Sequence, residues 1–216
     1  MAAVGMAVRE GKAPVVAMVC STGGLDAVTR ILGSLPRDFP ASVIVLRHHD
    51  PQARNRLASI LQRHTVLPVS AACDEDHLVA GRVFVAPTGY HTLVTSDDRL
   101  TLIVSGDRPP YRPSADLLLV SLAVSVGPRA IAVVLSGYGI DGATGATAVH
   151  RLGGVVIASD KASSAVFTMP YATITRDEII NYVMPVDDIA ALLIRLVADA
   201  PALGLEAQDR EGHGEG

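Results

Sequence analysis

The sequence predicts an α/β fold: a single domain on a mostly parallel, doubly wound sheet, with helices on both faces and one inserted β-hairpin. Three observations predict it. Apolar, β-branched runs of strand length alternate with segments of helical periodicity, the rhythm of strand, crossover and parallel strand. The 216 residues suit one domain and are short for two. Hydrophobic residues make up 49% of the chain against 19% charged, enough to bury a sheet on both faces, and this excludes disordered and fibrous classes.

The elements follow in chain order. A leader, residues 1–14, begins MAAVGMAV, but its charges Arg9, Glu10 and Lys12 come after the apolar stretch, the reverse of a signal peptide. Strands are predicted at 15–20, 42–46, 82–85, 129–135 and 154–158, each too short for a typical helix. Between them, helical patterns cover 25–35, 54–64, 115–126 and 143–152. His64 is expected to continue the buried Leu57, Ile60, Leu61 face of the second helix. Residues 91–95 and 99–104, divided by Ser96, Asp97 and Asp98, read as the antiparallel hairpin. A Pro-rich loop follows over 106–114. Residues 186–198 form a closing amphipathic helix, so the domain runs from 15 to 200, and the polar stretch 201–216 has the composition of a disordered tail.

Eighteen Lys and Arg against 22 Asp and Glu give a net charge of −4, so no global positive field draws the chain to nucleic acid or anionic lipid. Two cysteines, Cys20 and Cys73, supply neither a disulfide framework nor a four-thiolate zinc site, and a reduced, cytoplasmic setting is expected. The longest apolar candidate for a membrane span, 117–126, is interrupted by Ser121 and Ser125 and is far below bilayer length. A soluble protein without membrane insertion is expected.

In open parallel sheets, reacting groups gather where strands end. Three such ends carry chemistry-capable residues: Ser21 before Thr22, Gly23 and Gly24; His48 beside His49; and Asp141 within 137–145. Ser21 at a strand-to-helix turn suits a nucleophile or, more blandly, an N-cap. The elbow motif G-x-S-x-G is only half met, because Val19 stands at its first glycine. Periodicity alone leaves the choice between His48 and His49 open. Histidines 64, 77, 91, 150 and 213 receive no role. Asp141 reads either as an acid orienting an imidazole or as a cap on the helix that follows it. A rival reading takes Gly137, Gly139 and Gly142 as G-x-G-x-x-G, with Asp160 as a ribose-binding acid. The chain after 129 is short for a second βαβ half, and that reading leaves Ser21 and His48 unexplained.

The runs CSTGG, LRHHDP, VFVAPTGYH, YRPSADLLL, LSGYGIDGATG and AVFTMP occur in this order. Over residues 15–197 the chain resembles the catalytic domain of chemotaxis-type protein-glutamate methylesterases. The resemblance implies a Ser, His, Asp triad: Ser21 as nucleophile, His48 rather than His49 as base, and Asp141 as the acid behind the ring. It also implies an oxyanion donor at the Tyr138 amide, with Thr22 lining the site. The implied reaction is hydrolysis of glutamate γ-methyl esters on the helices of methyl-accepting receptors, with deamidation of glutamines as a related activity and no metal or organic cofactor. Several residues depart from the common pattern. Val19 and Cys20 replace a Gly-Ala pair, Ile140 a polar residue, Tyr111 a histidine and Thr168 a glycine, which makes the rim bulkier and less polar. With the first strand at Val15, no receiver domain is expected ahead of it, so the esterase would be constitutively open or controlled by a separate protein. Two readings from other classes stand beside the esterase: a phosphate- or dinucleotide-binding module, and an inactive scaffold that binds a receptor.

Overall fold

The structure, a computed structural model, describes residues 12–48, 56–105 and 113–198. The strands are β1 (Val15–Cys20), β2 (Ser42–Arg47), β3 (Val69–Ala71), β4 (Val83–Val85), β5 (Tyr90–Val94), β6 (Leu100–Val104), β7 (Ala130–Val134), β8 (Val155–Ser159) and β9 (Tyr182–Met184). The helices are α1 (Gly24–Gly33), α2 (Leu57–Leu61), α3 (Ala115–Val126), α4 (Ala143–Arg151), α5 (Thr168–Ile174) and α6 (Val186–Ala198). Seven strands form one sheet in the order β3-β4-β2-β1-β7-β8-β9, every pairing parallel, while β5 and β6 form a separate antiparallel hairpin. From β1 the chain goes to β2, out to the edge strand β3 and back to β4 between them, then returns to β7 against β1 and winds outward on the other side. The topological switch point therefore lies between β1 and β7.

Burial on both faces explains why these strands read as unbroken apolar runs. Along β1, Val16, Met18 and Cys20 enter the core shared with α1, α2 and α6. Val15, Ala17 and Val19 enter the core shared with α3, α4 and the hairpin. Helix α1 buries Ala27, Val28, Ile31 and Leu32 on one stripe, and Arg30 on its outer side ties it to Asp187 of α6. Ser121 and Ser125, which interrupt the apolar run of α3, fasten the hairpin: the Val94 amide donates to Ser121 Oγ at 3.0 Å and Ser125 Oγ donates to the Val94 carbonyl at 2.8 Å.

The sequence reading misses the short strands β3 and β9 and the helix α5. The second helix is shorter than its periodicity predicts, and His64 lies exposed beyond its end. The cause is Gln62, whose side chain donates to the Leu67 carbonyl and accepts from the Val69 amide. That turns the chain into β3 and buries Leu67 in the place expected for the histidine. The first two residues of that predicted helix, most of the leader, His49, the loop residues 106–112 with Tyr111, and the predicted tail lie outside the described residues.

Candidate active site

The alternation of strands β1 and β2 brings the first two candidates together. Ile44 and Leu46 of β2 share the α3–α4 face with Ala17 and Val19 of β1, and one further step of two residues on each strand gives His48 and Ser21. The register pairs Cys20 with Arg47, and the His48 amide donates to the Cys20 carbonyl at 3.0 Å, so Ser21 and His48 leave the sheet side by side. Cys20 points the other way. Burial pushes its thiol up to about 12, against the lowering influence of Arg47, so it is no rival nucleophile at neutral pH.

Ser21 does not cap α1. The N-cap is Gly23 at φ 77°, with no side-chain cap bond, and the Ser21 hydroxyl makes no hydrogen bond among the described residues. Its backbone is pinned at the switch point, where the Ser21 amide donates to the Ser136 carbonyl at 2.9 Å. A Cβ on Gly137 would lie 2.7 Å from Ser21 Cβ and 2.3 Å from Met169 Sδ, so only glycine lets the loop after β7 approach this closely. Sequence reasoning gave Ser136 no role, yet it staples three loops. Its hydroxyl donates to the Thr22 carbonyl at 2.8 Å and accepts from the Val166 amide at 2.9 Å. Thr22 and the Tyr138 side chain are exposed beside this turn, and among the described residues neither the Thr22 amide nor the Tyr138 amide finds an acceptor.

His48 and Asp141 meet from positions 93 residues apart, with His48 Nε2 2.8 Å from Asp141 Oδ2. The Asp141 side chain is 1% exposed and that of His48 11%. Asp141 does cap a helix, but it is α3 and not the α4 that follows it in sequence. Its Oδ2 accepts from the Ala115 amide at 2.7 Å, and its Oδ1 from the Asp116 amide at 2.9 Å and from Ser114 Oγ at 3.2 Å. The expected cap on the helix that follows Asp141 is therefore not made, and the carboxylate that meets His48 serves α3 instead. Burial pushes its carboxyl up, but the hydrogen bond from His48 and those from the Asp116 and Ala115 amides outweigh it and hold the group below its ordinary value. The acid is thus ionised and fixed behind the ring. Ser114 and Asp116 escaped sequence reasoning, although both sit in the quoted run YRPSADLLL.

The G-x-G-x-x-G alternative loses its acid. Asp160 accepts from the Ser163 amide at 2.9 Å and from Ser163 Oγ at 2.6 Å, a local turn bond. Among the described residues no group of three or more His, Cys, Asp or Glu is placed to hold a metal ion, and no helix is long and apolar enough to cross a membrane. A groove of about 510 Å³ opens beside the site between Ile140, Ala143, Thr168, Tyr171 and Arg176. Its apolar rim includes Ile140 at 61% exposure and Tyr171 at 56%.

The CheB methylesterase family model matches residues 16–193. The protein-glutamate methylesterase FrzG of Myxococcus xanthus is 38% identical over 195 residues, covering 88% of this chain and 58% of the relative. Protein-glutamate methylesterase/protein-glutamine glutaminase 2 of Methanosarcina mazei is 34% identical over 190 residues, covering 85% of this chain and 52% of the relative. The chain thus spans little more than half the length of these relatives. The crystal structure of the Thermotoga maritima CheB methylesterase catalytic domain matches with a TM-score of 0.82 at 34% identity, covering 87% of this chain and 100% of that domain.

Proposed function

The chain belongs to the CheB methylesterase family, and on that premise we propose that it is a serine hydrolase acting on glutamate γ-methyl esters of methyl-accepting receptor proteins. Deamidation of receptor glutamines is the related activity, as the names of several relatives carry both. The observation that carries the reading is the 2.8 Å contact of His48 Nε2 with buried Asp141 at the switch point where Ser21 also sits. Residues 15–200 act in this reading as one catalytic unit.

The chemistry follows from these groups. A serine hydroxyl is a weak nucleophile at neutral pH and needs a neutral imidazole to take its proton. Asp141 accepting from Nε2–H fixes the tautomer, so Nδ1 carries the lone pair that receives the Ser21 proton. A Ser21–His48 hydrogen bond forms when the ester is seated. Ser21 Oγ adds to the ester carbonyl, and the oxyanion is met by the Thr22 and Tyr138 amides, worth about 3–4 kcal/mol per donor. Methanol leaves with the proton from His48. Water, deprotonated by the same ring, then attacks the acyl-enzyme and frees the glutamate. Every step uses side chains and amides of this chain and calls for no metal or organic cofactor. The groove by Ile140, Thr168 and Tyr171 has apolar walls suited to the aliphatic face of a receptor helix. Two free cysteines fit a reducing compartment, so the cytoplasm is the proposed setting.

The test is methanol release from methyl-esterified receptor fragments by the full chain and by Ser21→Ala. The variant should lose about a millionfold in turnover. Turnover retained by Ser21→Ala removes Ser21 from the reaction, and receptor binding without methanol release by the unaltered chain marks a scaffold instead.

A further inference from the structure

Two helices exchange carboxylates at the edge of the site. Asp141, two residues ahead of α4, accepts from the Ala115 and Asp116 amides in the first turn of α3. Asp116, the second residue of α3, accepts with its Oδ1 from the Gly142 amide at 2.9 Å and the Gly145 amide at 2.8 Å, at the start of α4. Each carboxylate thus satisfies orphan donors at the other helix's N-terminus. The close approach this requires is built in: a Cβ on Gly145 would sit 2.5 Å from Leu119 Cβ and 3.0 Å from the Asp116 carbonyl oxygen. Gly142, directly after Asp141, adopts φ 102°, which aims its amide at Asp116 at little cost for glycine and at a strain for other residues.

Asp116 is an expensive residue to keep here. Burial pushes its carboxyl up, the Asp141 charge adds to the push, and only the Gly145 and Gly142 amides oppose it. A cap for α4 alone could come from a Ser, Thr or Asn at its own N-cap, where Gly142 stands without a side-chain cap bond. What Asp116 does that a cap confined to α4 would not do is tie the residue after Asp141 to the residue that binds Asp141. Asp141 then cannot shift relative to the first turn of α3 without straining bonds made by both carboxylates, and its Oδ2 stays on His48 Nε2.

We propose that Asp116 is a positioning residue for the esterase reaction, holding Asp141, and through it the His48 ring, by reciprocal capping of α3 and α4. The proposal rests on the esterase reading for its activity arm only; its structural arm stands on the bonds above.

The experiment uses the full chain labelled with ¹⁵N, with the His48 ring signal assigned by His48→Gln. In the unaltered protein the Nε2–H proton should be held against exchange by Asp141, and the Gly142 and Gly145 amides should be slow to exchange. Asp116→Ala should lose the Nε2–H signal and lower kcat about 100-fold, with KM little changed, the scale of a misplaced catalytic group. Asp116→Asn keeps an acceptor oxygen and should restore both. A purely structural role would lower the folded fraction and leave the ring signal and kcat per folded molecule unchanged; that result in Asp116→Ala overturns the proposal. So does loss of the signal in Asp116→Asn, or fast exchange of both glycine amides in the unaltered chain, either of which can be read even if Asp116→Ala does not fold. If the unaltered chain releases no methanol while the signals behave as stated, the esterase reading fails and the positioning role stands.

Discussion

Residue by residue, the site separates two side chains that adjoin in sequence. Cys20 and Ser21 leave β1 on opposite faces, so the more nucleophilic element is buried in the α1–α6 core while the hydroxyl emerges beside His48. Desolvation keeps the Cys20 thiol protonated, at about 12, whereas Cys73 is exposed. Titration of the native protein with a disulfide reagent should therefore modify Cys73 quickly and Cys20 only after denaturant is added. Rapid modification of both in the native state would show that the end of β1 opens by itself. Ser21 and His48 were legible as candidates because they directly follow β1 and β2, and Asp141 because it lies in the Gly-rich loop after β7. Periodicity did not reach the position of His48, since alternation needs the strand's exact end and the phase of its neighbour, and the β1–β2 register is what brings His48 to the Cys20 carbonyl. Ser114, Ser136 and Asp116 were illegible for a related reason: a short polar residue in a loop or at a helix start looks ordinary until its partner, from 25 to 114 residues away, is known.

Among the elements, the long periodic segments were readable and the short ones were not. β3 and β9 have three residues each and are partly exposed sheet edges, so no apolar run marks them. α5 has seven residues, with Pro170 inside it and no side-chain cap, and it forms because Met169 is buried against Gly137 and the α3–α4 core. Tertiary packing overrides local propensity there. Two glycines test whether the α3–α4 contact matters beyond stability. A Cβ on Gly145 meets Leu119 Cβ at 2.5 Å, and one on Gly154 meets the Ala130 carbonyl oxygen and Val149 Cγ1, both at 2.7 Å. Neither glycine has positive φ, so the penalty in each case is steric, about 1–3 kcal/mol of overpacking. Gly145 lies in the first turn of α4, next to Asp141, whereas Gly154 precedes β8 at the opposite end of the sheet. Gly145→Ala should lower both the unfolding midpoint and kcat; Gly154→Ala should lower the midpoint alone. Equal losses of kcat would mean that the site merely follows global stability.

For the molecule as a whole, the exchanged carboxylates make stability depend on pH in two opposed ways. The Asp116 carboxyl is raised above its ordinary 3.8, by burial first and then by the Asp141 charge. A carboxyl that binds its proton more tightly in the folded state costs stability when ionised, and that cost disappears as pH falls through the raised value toward 3.8. Asp141 has the opposite sign. Burial alone would raise it, but His48 and the α3 amides win and lower it, so its contribution is present above 3.8 and is lost as pH falls through the lowered value. Carboxylates away from the site such as Asp97 and Asp160 are lowered as well, and they act alike in any Asp116 variant. The difference in unfolding free energy between the unaltered chain and Asp116→Asn, measured in urea across a pH series, therefore isolates Asp116. That difference should shift in favour of the unaltered chain as pH falls from neutral to about 3.8, and flatten below it, while both proteins lose stability together at lower pH. A difference that does not vary with pH would mean that the Asp116 carboxyl titrates alike in the folded and unfolded chain, so that burial and the Asp141 charge place no net penalty on it.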